Sequence, residues 1–139
     1  YVAEPPPAWQ ARPPMVPDCS VLAALVFDEP SRDDALRLLS GRSLHAPYLL
    51  DHEVVSVARK KQAQGARADA LERALASYVE QRVTLHRTDV GEQLALAQRY
   101  TLSAYDAAYL WLAAELKAPL VTFDRRLGEA AAAHLGTLQ

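Results

Sequence analysis

Apolar and polar residues alternate along the chain in a pattern that predicts short strands separated by helices. The segment 31–40, for example, begins at Ser31, which we expect to cap a helix, and ends before Gly41. The predicted strands are residues 15–16, 44–46, 82–86 and 119–123. The predicted helices are residues 20–27, 31–40, 48–64, 66–81, 88–100, 103–117 and 125–134.

This order of elements indicates the fold class. Short strands that alternate with helices predict parallel strands joined by helical crossovers. Because the helices outweigh the strands, we expect an α/β fold, a three-layer α/β/α sandwich around a small, mainly parallel sheet. In such folds the functional crevice lies at the carboxyl ends of the strands.

Length and composition predict one domain with an arm in front of it. The chain has 139 residues, and domains cluster at about 100–150 residues. Five prolines in residues 1–14 predict an extended N-terminal arm, which leaves residues 15–139 as the domain. No apolar run approaches the ~20 residues that span a bilayer, and Cys19 is the single cysteine. We expect no secretory signal, because the first residues lack a basic segment followed by an apolar core. We therefore expect a cytoplasmic protein with no membrane partner.

Two acidic residues occupy the same place in the pattern, after a predicted strand and before a predicted helix. They are Asp18 and Asp124. Either residue alone is explained as an N-cap, since an aspartate accepts hydrogen bonds from the first amides of a helix. If their two strands are neighbours in a parallel sheet, however, the carboxylates converge at one edge.

Two further acids interrupt apolar helices. Asp106 opens the most apolar helix, where Ser103 and Asp106 have the spacing of a capping box. Glu53 flanks the apolar stripe of the helix 48–64 and is either a solvated boundary residue or a carboxylate that leans over the sheet edge. Four carboxylates gathered at one edge would repel one another, and Mg²⁺ or Mn²⁺ relieves such repulsion because both ions prefer oxygen ligands.

Four segments, each with one of these acids, resemble motifs of PIN-domain nucleases, in particular VapC-type toxins. They are VPDCSVL at residues 16–22, DHEVVSVARK at 51–60, LSAYDAAYL at 102–110 and LVTFDRRL at 120–127. The resemblance lies in the order, spacing and strand–helix context of the motifs, and it extends from residue 15 to about residue 135. It implies a PIN-like α/β/α fold, a Mg²⁺- or Mn²⁺-dependent endoribonuclease that cuts transfer or ribosomal RNA, a homodimer, and a small antitoxin that neutralises the enzyme.

The resemblance also implies roles for individual residues. The acidic catalytic and metal site would be Asp18, Glu53, Asp106 and Asp124. Two hydroxyl residues in supporting positions would be Thr122 and Ser20.

Basic residues near Glu53 and Asp124 are candidates for guiding the RNA backbone. They are Arg59, Lys60, Lys61, Arg125 and Arg126. The alternative is that they form solvated helix faces. Phosphate contacts from such residues would position RNA without reading its sequence.

Two other functions fit the sequence less well but stay open. In one, the acids are only helix caps, and the aromatic residues Tyr105, Tyr109 and Trp111 support dimerisation or a partner helix in a non-catalytic PIN-like binding module. In the other, a PIN nuclease processes RNA without being a toxin. A zinc enzyme is disfavoured because the four histidines have no i,i+4 pair, and a serine hydrolase because no Gly-x-Ser-x-Gly motif is present.

Overall fold

The helices and strands of the computed structural model, which describes residues 12–138, follow the predicted alternation. The strands are β1 (Pro14–Pro17), β2 (Ser43–Pro47), β3 (Thr84–His86) and β4 (Leu120–Val121). The helices are α1 (Cys19–Val26), α2 (Arg32–Leu39), α3 (Leu49–Ala63), α4 (Ala68–Glu80), α5 (Val90–Tyr100), α6 (Ala104–Leu116) and α7 (Arg125–Gly136).

The four strands form one sheet in the order β3-β2-β1-β4, and all three pairings are parallel. Each strand is followed by a helix, so every connection is a crossover, as parallel pairing requires. The carboxyl ends of β1 and β4 are neighbours because these strands pair directly. The predicted small parallel sheet is confirmed.

The helices form two layers on the sheet. One layer contains α1, α2, α3 and α4, which contact one another and reach β1 and β2. The other contains α5, α6 and α7, with α6 against β1, β2 and β4. The three-layer α/β/α sandwich predicted from the sequence is therefore confirmed.

Helix α6 is the central helix of its layer and positions one acid of the candidate site. Its buried residues surround most of its circumference and are Ala107, Ala108, Tyr109, Leu110, Leu112 and Ala113. The Ser103 hydroxyl accepts a hydrogen bond from the Asp106 amide at the start of the helix, which satisfies one of the unpaired amides there. The helix ends at Lys117, whose left-handed backbone stops the helical repeat.

Several local predictions were wrong in detail, including the start of β3, which lies at Thr84 instead of residue 82. Ser31 stands at the N-cap position of α2, but its side chain makes no capping hydrogen bond within the described chain. Strand β4 stops at Val121 instead of residue 123. The physical reason is local, because the Thr122 hydroxyl accepts from the Asp124 amide at 2.9 Å and turns the backbone out of the sheet.

Most of the predicted N-terminal arm, residues 1–11, lies outside the described residues. Its last part joins the sheet: Pro14 pairs with Ser43 in β2, and the Pro13 carbonyl accepts from the Ser43 amide at 3.0 Å. Between residues 12 and 138, no helix has both the length and the apolar character needed to cross a bilayer.

Candidate metal and active site

The sheet order brings Asp18 and Asp124 to one edge. Asp18 follows β1 and Asp124 follows β4, and the last residues of these strands, Pro17 and Val121, are partners in the register. The contact continues beyond the strand, because the Asp18 amide donates to the Val121 carbonyl at 3.0 Å. The convergence of the two strand ends predicted from the sequence is thus present.

Asp18 is the only buried charged residue among residues 12–138, with 6% of its surface exposed. Its Oδ1 accepts from the Ser20 hydroxyl at 2.5 Å and from the Val21 amide at 3.4 Å, and its Oδ2 accepts from the Thr122 hydroxyl at 2.6 Å. Burial raises the pKa of Asp18, and these hydrogen bonds oppose that rise because they favour the carboxylate. Asp18 therefore caps α1 and is also held as a buried carboxylate.

Ser20 and Thr122 connect the two strand–helix junctions. The Ser20 hydroxyl accepts from the Phe123 amide at 3.0 Å while it donates to Asp18. The Thr122 hydroxyl accepts from the Asp124 amide and donates to Asp18. Each hydroxyl uses its one proton on the Asp18 carboxylate and a lone pair on the β4–α7 junction. The two supporting positions expected from the sequence lie directly beside the buried acid.

Asp124 caps α7, as the simpler interpretation of its position predicted. Its Oδ1 accepts from the amides of Arg126 and Leu127 at 2.8 and 3.2 Å. The side chain is exposed, unlike that of Asp18. An N-cap role and a second role are compatible here, because the capping bonds use one of the two carboxylate oxygens.

Asp106 occupies the third position of α6 and is half-buried. Burial raises its pKa, and the negative charges of Asp124 and Asp18 raise it further. A hydrogen bond involving Ser103 and the charge of Arg126 act in the opposite direction. The helix start expected from the sequence is confirmed, and the carboxylate lies close enough to Asp18 and Asp124 to respond to both.

Glu53 reaches the same region from α3. Its Oε1 accepts a hydrogen bond from the Tyr109 hydroxyl at 2.6 Å, across 56 positions of sequence. Burial raises the pKa of Glu53, and the charges of Asp18 and Asp106 add to the rise. The Tyr109 pKa is also raised, by burial and by the Glu53 charge, so its hydroxyl stays protonated and orients Glu53.

No ion pair within residues 12–138 involves any of these four acids. Helix capping explains the positions of Asp18 and Asp124, but it does not explain why Glu53 and Asp106 gather beside them. Like charges held together without cations destabilise the carboxylate forms. The arrangement therefore carries uncompensated negative charge at the edge of the sheet.

The donor chemistry fits a hard divalent cation. As the side chains lie, no three Asp, Glu, His or Cys residues of the described chain stand close enough together to hold a metal ion. All four groups offer carboxylate oxygens, however, which Mg²⁺ and Mn²⁺ prefer. The oxygens of Asp18 that accept from Ser20 and Thr122 retain lone pairs, because each carboxylate oxygen accepts more than one bond.

The PIN domain family profile matches residues 15–133 of this chain. The chain belongs to the PIN domain family. Two curated relatives, VapC ribonuclease Mb0985 of Mycobacterium bovis and ribonuclease VapC9 of Mycobacterium tuberculosis, are each 37% identical to this PIN domain over 112 residues. The alignment covers 79% of this chain and 84% of either relative. Ribonuclease VapC3 of Pyrobaculum aerophilum is 30% identical over 121 residues, which is 83% of this chain and 92% of the relative.

A solved structure supports the fold. The crystal structure of PAE2754 from Pyrobaculum aerophilum superposes on this PIN domain with a TM-score of 0.68 and covers 93% of this chain and 97% of its own. Sequence identity in this pair is 23%, so the similarity concerns the fold alone.

The basic residues of this PIN domain differ in their surroundings. Lys61 pairs with Glu29 at 3.1 Å, and Arg125 pairs with Glu129 at 2.9 Å. The Arg126 guanidinium donates to the carbonyl of Thr101 at 2.6 Å. These three cations are engaged within the protein.

The other two basic candidates lie on the exposed side of α3. Arg59 donates to Gln62 at 2.7 Å and has no carboxylate partner within the described chain. Lys60 is exposed, has no carboxylate partner in that range either, and lines a surface cavity with Glu53. Among the five cations, Lys60 is the one that lines this cavity together with Glu53.

Sequence reasoning missed the hydroxyl of Tyr109 as a site group, because an aromatic in an apolar helix is usually a core residue. Tyr109 is indeed 1% exposed, yet its polar end contacts Glu53.

The sequence also gave no indication of a pair of histidines at the β2–β3 side of the sheet, where the His45 Nδ1 and the His86 Nε2 are 2.9 Å apart. Adjacent parallel strands bring these two together, and the spacing of 41 residues gives no such signal.

Proposed function

We propose that this PIN domain is a Mg²⁺- or Mn²⁺-dependent endoribonuclease that acts as the toxin of a toxin–antitoxin pair. The observation that carries the proposal is the gathering of Asp18, Glu53, Asp106 and Asp124 at one edge of the sheet without ion-pair partners in the described chain. The 37% sequence identity to proteins named as VapC ribonucleases supports RNA as the substrate over other phosphodiesters.

The four acids would have different roles in metal binding and in orienting water. Asp18 and Asp124, on neighbouring strand ends, would hold the principal ion, and Asp106 and Glu53 would complete its surroundings, bind a second ion or orient water. A bound divalent ion supplies charge stabilisation at the phosphorus and lowers the pKa of the attacking water. Ser20 and Thr122 would keep Asp18 ionised, and Tyr109 would hold Glu53 in place.

A carboxylate of the cluster is also suited to orient the attacking water. Burial and the neighbouring charges raise the pKa of Glu53 and of Asp106, so each is a stronger base than an exposed carboxylate. No side chain of the cluster is a nucleophile in this scheme. Water attacks the phosphorus, the bond to the leaving sugar oxygen breaks, and that oxygen takes a proton.

The proposal extends to the biological setting implied by the likeness to VapC-type toxins. A small antitoxin protein would neutralise the enzyme, the active form would be a homodimer in the cytoplasm, and the substrate would be a transfer or ribosomal RNA. The same site in an RNA-processing nuclease would need no antitoxin. If a small gene neighbours this one, co-expression with its product, together with measurements of growth and RNA integrity, separates these two settings.

Cleavage of total cellular RNA by the purified protein tests the proposed activity. We expect discrete fragments with Mg²⁺ or Mn²⁺ and none with EDTA, because the acids alone lack the positive charge that the reaction needs. Asp124→Asn, prepared in the same way, keeps a capping side chain for α7 and should lose the fragments. Cleavage that persists in EDTA, or equally in the variant, would point to a contaminating nuclease or a different site.

Lys60 is predicted to contact the RNA backbone. Replacing it with alanine should lower the steepness of the plot of log affinity against log salt by about 0.7, the contribution of one phosphate contact on single-stranded nucleic acid. Arg73→Ala is a matched control, because Arg73 is exposed and already paired with Asp69 at 3.3 Å. Equal salt dependence in the Lys60→Ala protein and the wild type would remove Lys60 from the RNA path.

A further inference from the structure

A surface cavity of about 600 Å³ adjoins the acid cluster. Its lining includes Glu53, Lys60, Leu49 and Val57 from α3 and Cys19 from the start of α1. The volume lies within the range of small-ligand sites, and mostly apolar walls with a few polar groups are typical of them.

One wall of the cavity is an aromatic ring that the core does not use. Tyr105 lies in the first turn of α6 and is 63% exposed, although the same helix is buried over most of its length. Its hydroxyl makes no hydrogen bond within residues 12–138, whereas that of Tyr109, one turn further along, is bonded to Glu53. An exposed, flat ring of this size is a stacking surface, since every nucleobase has a π-face that packs on it.

The position of Tyr105 connects the cavity to the chemistry. Tyr105 directly precedes Asp106 in α6, and Glu53, another of the four acids, itself lines the cavity. Any ligand in the cavity is therefore next to the candidate metal site. Lys60 supplies a cation on the α3 side of the cavity. The cavity therefore offers a ring on which a base can stack and a positive charge for the phosphate of the same strand.

We propose that this cavity binds one unpaired nucleobase of the RNA substrate, stacked on Tyr105, with Lys60 beside the phosphate of the same strand. The inference rests on the proposed ribonuclease function and deepens it by assigning a cavity and a residue that bind the substrate. A base in a duplex already has both faces covered by its neighbours, so only a base in a single-stranded segment, loop or bulge fits. Tyr105 is accordingly a binding and positioning residue, and the acids carry the chemistry.

Binding without cleavage tests the cavity independently of the activity. In EDTA, we would measure by fluorescence anisotropy the affinity for a labelled random-sequence 12-nucleotide RNA and for a ribose-phosphate 12-mer that lacks bases. The wild type should prefer the RNA by roughly 5- to 150-fold, the range of one stacked base. Tyr105→Ala should lose that preference, and Tyr105→Phe should keep it.

Tyr48→Ala is the matched control, because Tyr48 is also an exposed tyrosine, at 59%, but does not line the cavity. The proposal is wrong if the wild type shows no preference for bases. It is also wrong if Tyr105→Ala weakens binding to both probes equally, or if Tyr48→Ala has the same effect as Tyr105→Ala. A cavity that serves a protein partner instead of RNA would give one of these results.

A cleavage assay then tests whether binding of a base on Tyr105 contributes to the reaction. On a synthetic RNA that spans a cut site mapped in total RNA, Tyr105→Ala should lower kcat/KM by roughly 5- to 150-fold, and annealing a complementary strand over the site should protect the RNA. Efficient cutting of the annealed duplex would overturn the proposal. If the wild type cuts no RNA with either metal, the proposed function fails, while the binding experiment in EDTA still decides whether the cavity takes a base.

Discussion

Replacement of Asp106 with asparagine is expected to reduce metal-dependent RNA cleavage by about 100-fold or more, because a metal-binding carboxylate contributes several kcal/mol to the transition state. The same change should raise the melting temperature of the metal-free protein at pH 7. Asparagine has nearly the same shape as aspartate but carries no charge. The substitution therefore removes a charge whose burial raises the pKa of Asp106, and with it the repulsion from Asp124 and Asp18 that raises this pKa further.

The pH dependence of this stabilisation has a definite sign. The pKa of Asp106 is higher in the folded chain than its ordinary value of 3.8, so the folded state holds the proton more tightly than the unfolded state. Stability associated with this group is fully present below pH 3.8 and is lost as the pH rises through the folded pKa. The advantage of Asp106→Asn should therefore appear above that range and vanish in acid.

We expect the gain in melting temperature to be modest, roughly 2–4 °C, because solvent screens a half-exposed carboxylate. Thermal unfolding in EDTA at pH 7 and at pH 3.5 measures it. Asp33→Asn is the matched control, since Asp33 is exposed in the first turn of α2 and outside the acid cluster. A fully active Asp106→Asn protein, or one destabilised at pH 7 but not in acid, would contradict the assignment of Asp106 to the site.

Replacement of Thr122 with valine is expected to raise the Mg²⁺ concentration needed for half-maximal cleavage by about 10- to 100-fold, as loss of a group that supports a metal ligand does. Valine keeps the shape of the side chain but removes the hydroxyl that donates to the Asp18 Oδ2 at 2.6 Å. The pKa of Asp18, already raised by burial, would rise further, and its proton would compete with the metal. Mg²⁺ titrations of the cleavage rate at two pH values measure the change.

The conservative variant separates chemistry from packing. Thr122→Ser keeps a hydroxyl and should need close to the wild-type Mg²⁺ concentration, while Thr122→Val should recover activity as the pH or the Mg²⁺ concentration increases. A Thr122→Val protein with an unchanged Mg²⁺ requirement would show that the hydroxyl does not support the metal site. A loss that excess Mg²⁺ fails to restore would assign Thr122 a structural role at the β4–α7 junction.

The sequence pattern identifies strand–acid–helix junctions but not which of them meet. Asp89 has the same local arrangement as Asp18 and Asp124, because it follows β3 and caps α5 by accepting from the Glu92 amide at 2.9 Å. It does not join the cluster, since β3 is an outer strand and β2 separates it from β1. Strand order depends on how the helices pack across the whole sheet, and the local pattern of apolar and polar residues does not predict this order.

Contacts between helices that are distant in sequence could not be predicted from the sequence pattern either. The burial of Tyr109 agrees with the apolar character of α6, but the bond from its hydroxyl to Glu53 depends on how α3 and α6 lie on the sheet. The position of Ser20 and Thr122 beside Asp18 was expected only through the family resemblance. Their hydrogen bonds follow from the pairing of β1 with β4, which sets residues 104 positions apart in contact.

A calorimetric titration with Mn²⁺ tests most directly the claim that the four acids form a metal site. The wild type should bind Mn²⁺, and Asp18→Asn, Glu53→Gln, Asp106→Asn and Asp124→Asn should each bind it at least about 10-fold more weakly, while Asp33→Asn binds it as the wild type does. Absence of Mn²⁺ binding by the folded wild type would contradict the account. Equal weakening by Asp33→Asn would do the same, because it would reveal only a general effect of net charge.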